Sequence, residues 1–314
     1  MREKNLVIED YGPANEKKAK AVLDKLLLTE ELDLTVQWRF CERKLDKRIL
    51  SALAEVIRER GRKKEFSVNM VIETNQWQRA GKLRKILNQY GFTLELLASP
   101  SLKPETVRNL QKKMLLEHVI VTGKDYQTLR KTSDPYWKQG VPVIIRGYNL
   151  SLEEYTDWFR QWTEVPKGAW IDVFLDAAGY LYTGTHITDC CHDSCLGKYL
   201  YIDSQGNKYF CVNKNAKSYM ADTEWDELYG DSYVEVLKRS VEKRRDCKGD
   251  CDGFDNCQGG CPLSEEWGDC GDYLKKIQYI QNYVLKHSKN LFSDVPNPGL
   301  RQLFLSAAGF GLRM

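Results

Sequence analysis

This chain of 314 residues lacks an apolar run long enough to cross a bilayer, which takes about 20 residues. Its first stretch, MREKNLVIEDYGPANEKKAK, is charged and has no apolar signal core, so the expectation is a cytoplasmic protein whose thiols stay reduced. It also lacks an excess of either charge: 47 basic residues stand against 44 acidic ones, a net charge of +3, which gives no reason to invoke nucleic acid. The basic run from Lys238 to Arg245 reads as the solvated face of a helix. There is no internal repeat and no low-complexity segment. No Ser/His/Asp set, phosphate-binding loop or carboxylate pair is legible, which removes hydrolytic and kinase chemistry from the reading. The first 189 residues hold a single cysteine, Cys41.

Nine further cysteines crowd between Cys190 and Cys270. Their spacing is Cys191-x3-Cys195, x15 to Cys211, x35 to Cys247, x3 to Cys251, x5 to Cys257, x3 to Cys261 and x8 to Cys270, with Cys190 beside Cys191 as a spare. Eight thiolates suffice for two four-thiolate centres. A reducing compartment argues against disulfides. Structural zinc takes four cysteines in short pairs, and an iron–sulfur cluster takes four from more widely separated segments. Spacing alone admits both. Between Cys195 and Cys211, Leu200–Asp203 and Lys208–Cys211 read as strands flanking Ser204-Gln205-Gly206-Asn207, a hairpin that brings Cys211 back toward Cys195.

In order, Cys195, then Gly206-Asn207 and Cys211, then Cys247, Cys251 and Cys257, then Gly259-Gly260-Cys261-Pro262 and a last Cys270 resemble the SPASM domain of radical SAM peptide-modifying enzymes. The family has C-x2-C where this chain has Cys247-x3-Cys251. The resemblance implies two [4Fe-4S] clusters. Carried over position by position, the first would be held by Cys191 (alternatively Cys190), Cys195, Cys211 and Cys261. The second would be held by Cys247, Cys251, Cys257 and Cys270. His192, inside Cys191-His192-Asp193-Ser194-Cys195, reads as an exposed loop histidine rather than a ligand.

Upstream, short strand-like runs alternate with amphipathic helical runs. The strands are Leu6–Ile8, Leu34–Val36, Phe66–Ile72, Phe92–Leu97, His118–Val121, Val141–Ile145 and Trp170–Leu175. The helices include Glu16–Leu28, Lys44–Arg60, Trp77–Tyr90, Pro104–Leu116 and Leu152–Trp162. The expected fold is α/β, a partial (βα)6-type barrel followed by a small cysteine-rich SPASM domain. The expected domains are a radical-SAM-like barrel over 1–178, the SPASM domain over 179–271, and a C-terminal helix and tail over 272–314. Hydrophobic residues make up 42% of the chain, enough for a core of this kind.

A radical SAM barrel carries C-x3-C-x2-C after its first strand, where three thiolates hold the cluster that binds S-adenosylmethionine. Here that loop reads Asp10-Tyr11-Gly12-Pro13-Ala14-Asn15, and a motif begun at Cys41 would need cysteines where Leu45 and Arg48 stand. No S-adenosylmethionine cleavage is expected. Glu73-Thr74-Asn75 resembles the family's T-N turn, and Cys41-Glu42 sits where the family has G-G-E-P, with Glu42 at the acidic position. SPASM proteins without the triad accompany ATP-grasp ligases in ribosomal-peptide systems (the grasp-with-spasm type) or partner intact radical SAM maturases. The expected function is therefore a redox or substrate-binding component in maturation of a ribosomally made peptide, working with a modifying enzyme encoded nearby. The alternative is a structural iron–sulfur or zinc scaffold that recruits a peptide or partner enzyme without catalysis.

Overall fold

The computed structural model describes residues 2–28, 32–61, 68–148, 150–175, 199–209, 270–287 and the single positions 238, 242, 299 and 301. Of the expected cluster ligands, only the backbone of Cys270 lies inside these residues. Six strand–helix units follow one another: β1 (Arg2–Glu9), α1 (Glu16–Leu28), β2 (Leu32–Phe40), α2 (Lys47–Gly61), β3 (Val68–Thr74), α3 (Trp77–Tyr90), β4 (Thr93–Leu97), α4 (Pro104–Gln111), β5 (Leu116–Thr122), α5 (Tyr126–Trp137), β6 (Val143–Arg146) and α6 (Leu152–Thr163). Then come β7 (Tyr199–Ile202), β8 (Lys208–Tyr209) and α7 (Cys270–His287). The strands pair parallel apart from the β7–β8 hairpin, so the expected α/β class with a mostly parallel sheet is what forms. No described helix is long and apolar enough to cross a membrane.

The chain divides into two compact units. The first comprises 1–97, 109–117 and 194–241, and its strands run β4-β3-β2-β1-β7-β8. Because side chains alternate along a strand, parallel register sorts its sheet into two unlike faces. On one face Leu6, Ile8, Val36, Trp38, Phe40, Ile72, Leu94, Leu96 and Ile202 are at most 1% exposed, and Trp38 meets Phe92 edge-on at 5.9 Å. At about 25 cal/mol per Å² this apolar face supplies much of the driving force for folding. On the other face one register row reads Glu9, Arg39, Glu73 and Glu95.

β7 was legible as half of a hairpin, and the structure adds it to the sheet beside β1, with Leu6 opposite Leu200 and Ile8 opposite Ile202. The turn is held by Asp203. Its carboxylate accepts from the Gln205 and Asn207 amides at 2.9 and 2.8 Å, from Asn207 Nδ2 at 2.9 Å and from the Tyr209 hydroxyl at 3.1 Å. Gly206 supplies the positive φ of 85° that the turn requires.

The second unit comprises 98–108, 118–193 and 242–314. It pairs β5 with β6, Val119 opposite Val143. α6 opens with a capping box on Ser151 and Glu154, the reciprocal arrangement that satisfies two orphan amides. Its Phe159 meets Phe174 edge-on at 5.2 Å and Tyr283 of α7 at 5.0 Å. One expectation changes here. Trp170–Leu175 forms no strand: Ile171 makes one isolated bridge to Val143, after which the amides of Phe174 and Leu175 bond back to the Ile171 carbonyl. β-branched and aromatic residues marked the segment as strand, and burial of Phe174 satisfied the same side chains in a helical turn. α5, not among the helices named from the sequence, carries Pro135 within it and starts on an Asp125 cap that accepts from Thr128 N at 2.8 Å. In the tail, Gly299 N donates to Gly168 O at 2.9 Å.

Candidate functional site

Ligands of α/β sheets bind outside the carboxyl ends of the strands. In the first unit that end is built from the loop after β1, the loop after β2 and the end of β3. Asp10 organises it. This residue is 7% exposed and sits at φ 41°, the only positive value among the described non-glycine residues, a region that aspartate tolerates better than most side chains. The conformation points its carboxylate across to the next loop, where Oδ1 accepts from the backbone N–H groups of Cys41, Glu42 and Arg43 at 3.0, 3.2 and 3.0 Å. Three successive amides converging on one acceptor form an anion-binding nest, and the chain's own carboxylate fills it.

The same loop is held from its other side. Thr74 Oγ1 donates to the Phe40 carbonyl at 2.8 Å, Asn75 Nδ2 to Cys41 O at 3.2 Å and Gln76 Nε2 to Arg43 O at 2.6 Å. Gln76 Oε1 in turn accepts from Leu45 N at 3.1 Å. Glu73-Thr74-Asn75, singled out in the sequence as a T-N turn, is thus a clamp for residues 40–45. Glu42 is exposed. Asn15 fastens the β1 loop: its Oδ1 accepts from Gly12 N at 2.8 Å, and its Nδ2 donates to Glu9 O at 2.7 Å and to Asp203 O at 2.9 Å.

Below this clamp lies the polar face of the sheet. Arg39 Nε stands 2.9 Å from Glu73 Oε2, both side chains being at most 9% exposed. Gln37 Nε2 donates to Glu73 Oε2 at 3.0 Å and to Glu95 Oε2 at 2.6 Å. The Arg39 guanidinium lies 5.8 Å from the Tyr201 ring centroid. Burial, followed by the hydrogen bond and charge of Glu9, holds the Tyr201 phenol well above the usual tyrosine range. Removing one member of such a buried pair costs about 3–5 kcal/mol, since a charge is left uncompensated. The sequence reading named Glu73 but missed Arg39 and Gln37. The available signal was two polar residues, two apart, in a strand whose alternate positions are all apolar.

Cys41 is half-buried and unbridged. Burial, with the charges of Glu73 and Asp10 behind it, pushes its thiol up to about 11, so it is a protonated side chain at neutral pH and a poor metal ligand. Among the described residues no three His, Cys, Asp or Glu side chains converge on a metal position. Cys190, Cys191, Cys195, Cys211, Cys247, Cys251, Cys257 and Cys261 lie outside the described residues, as does His192.

Neither a family model nor a curated protein matches the chain by sequence. Solved structures do match. Native anSMEcpe with bound AdoMet and Cp18Cys peptide superposes with a TM-score of 0.65 at 15% identity, covering 92% of this chain and 99% of that one. Native anSMEcpe with bound AdoMet gives 0.63 at 14% identity, covering 91% and 98%. At these identities the likeness is one of fold, and it supports the radical SAM-like fold expected from the sequence.

Proposed function

We propose that this protein is a SPASM-domain component of a cytoplasmic peptide-maturation system. It holds two [4Fe-4S] clusters and a ribosomally made peptide, and has no S-adenosylmethionine-cleaving cluster of its own. The observation that carries this reading is the β1–α1 loop. A cluster with an open iron needs three thiolates there. The loop instead offers Asp10, Tyr11 and Asn15, and Asp10 is spent on the amides of residues 41–43. These residues do not fit that cofactor. The nest at 41–43 is closed to any other anion for the same reason.

The later thiolates do fit a four-cysteine cluster by number and chemistry. Cys191 (or Cys190), Cys195, Cys211 and Cys261 would hold one, and Cys247, Cys251, Cys257 and Cys270 the other, in a domain over 179–271. Bound clusters would supply one-electron transfer. What the chain's own groups do is anchor the β7–β8 hairpin between Cys195 and Cys211 and pair Arg39 with Glu73 on the polar face of the sheet. A fold shared with a structure that carries a peptide supports peptide handling. A partner enzyme, radical SAM or ATP-grasp, would do the modification.

The test is made on anaerobically purified protein. It should carry about eight iron and eight sulfide per chain, give no heat with S-adenosylmethionine and release no 5′-deoxyadenosine after dithionite reduction. Colourless protein with stoichiometric zinc, or cleavage of the cofactor, overturns the reading.

A further inference from the structure

A cavity of about 290 Å³ lies between the starts of α1 and α2, outside the sheet and behind the clamped loops. Leu23, Ile49, Ala52 and Leu53 line it with Tyr11, Gly12 and Pro13, while Arg43 and Arg48 stand among its lining residues together with Lys20 and Glu16. Lys20 is engaged by Glu16 at 2.6 Å, which leaves Arg43 and Arg48, both exposed residues, as the net charge. Arg43 is seated over Gly12, where a Cβ would fall 0.9 Å from its Nη1, and its Nη1 donates to Tyr11 O at 3.2 Å. Its position is therefore set by the same two loops that Asp10 ties together.

The chemistry of the lining selects an occupant. The volume is at the small end for a complete small-molecule site and suits one or two aliphatic side chains. The apolar lining includes the buried Leu23 and Leu53, whereas Arg43 and Arg48 are exposed residues, so the occupant is apolar at its tip and anionic where it enters. A planar guanidinium pairs with a carboxylate through two parallel hydrogen bonds. We infer that this cavity docks a peptide segment in which leucine-like side chains are flanked by carboxylates, held by Arg43 and Arg48. This rests on the peptide-handling reading above and adds where the peptide is gripped and what it must contain.

Fluorescence anisotropy on the cluster-loaded full chain tests it. The probe is a labelled synthetic octapeptide with two adjacent leucines flanked by glutamates. It should bind, and versions with lysine for glutamate or serine for leucine should bind at least about ten-fold more weakly. Ala52→Trp, which fills the mouth, and Arg48→Glu, which reverses its charge, should each weaken binding by about ten-fold or more at unchanged melting temperature and iron content. Equal binding in both variants, or no binding at millimolar peptide, overturns the inference. So does displacement by 4-methylpentanoate as effective as that by unlabelled peptide, which would make this a small-molecule site. A full iron count without peptide binding removes the docking site and leaves the cluster reading standing. Cavity-dependent binding by protein that holds only zinc does the reverse.

Discussion

Arg43 gives its backbone N–H to Asp10 Oδ1 at 3.0 Å and returns its guanidinium to the carbonyl of Tyr11, the residue after Asp10, at 3.2 Å. The loops after β1 and β2 are therefore locked in both directions by side chains of the chain itself. A metal-binding loop has to present free ligands at its tip. This one has turned its acidic residue inward onto its neighbour.

Removal of that lock has a predictable cost. Asp10→Ala leaves the amides of Cys41, Glu42 and Arg43 without their acceptor and keeps the φ of 41° without the side chain that tolerates it. A loss of about 2 kcal/mol is expected, with a melting temperature lower by about 5 °C. Asp10→Asn keeps an acceptor oxygen and should lose less than half as much. Equal losses in the two variants would mean that the carboxylate's oxygens do not hold the loop.

Cys41 should be inert in the folded protein. With its thiol pushed up to about 11, its thiolate fraction at pH 8 is more than about a hundred-fold below that of an ordinary cysteine. Alkylation with iodoacetamide followed by peptide mapping should modify Cys41 far more slowly in native protein than in urea, a comparison that does not depend on the iron-bound cysteines. In urea it should react like an ordinary cysteine. Fast native labelling would show that the thiol is neither buried nor faced by Asp10 and Glu73.

The strand–helix alternation was legible because each strand of the first unit buries one apolar face, so Leu6-Val7-Ile8 and Leu34-Thr35-Val36 announced themselves by composition. The hairpin at Ser204–Asn207 was legible because Gly and Asn carry turn chemistry that tertiary contacts rarely override. What could not be read was partnership at a distance. Nothing local ties Asp10 to an amide 31 residues away, or Gln37 to Glu95 across 58. The parallel register that creates those contacts exists only once the sheet does. Trp170–Leu175 failed for the opposite reason, since local composition favoured a strand and packing of Phe174 into the aromatic cluster decided otherwise.

In the second unit, Asp134 joins the acid response of the fold. Burial alone would raise its pKa, but hydrogen bonds from Arg130, Lys138 and Trp137 hold the carboxyl below the usual range. Arg130 reaches it with two nitrogens at 2.8 Å. The folded pKa is thus lower than the unfolded value of about 3.9. The native state binds fewer protons in that region, and stability falls as pH drops through the folded pKa. Asp134→Asn should cost about 2 kcal/mol at neutral pH. Its deficit in melting temperature should shrink as pH falls below the unfolded value of about 4, because the unfolded wild-type carboxyl then takes up a proton that the folded one resists. A deficit that stays constant would trace the loss to packing rather than charge.

The division of cysteines between two clusters that the SPASM resemblance implies is the sharpest part of the proposal, because it pairs residues that are not neighbours. The β7–β8 hairpin reverses the chain between Cys195 and Cys211, with Tyr201 opposite Tyr209, which supports placing both on one cluster. The family's interleaved pattern would then send Cys261 upstream to join them and leave Cys270, the first residue of α7, with Cys247, Cys251 and Cys257. Replacing any of Cys247, Cys251, Cys257 or Cys270 by Ala should remove about four iron and leave the other cluster. Replacing Cys191, Cys195, Cys211 or Cys261 should do the converse, and the two sets should give two distinct residual electron paramagnetic resonance spectra. Cys190→Ala should change neither the iron count nor the spectrum. If Cys261→Ala left the same residual spectrum as Cys257→Ala, the four downstream cysteines from Cys247 to Cys261 would form one site by proximity, as a structural zinc pair would. The interleaved assignment would then be wrong. An essential Cys190 beside a silent Cys191 would instead move one ligand by a single position and keep the division.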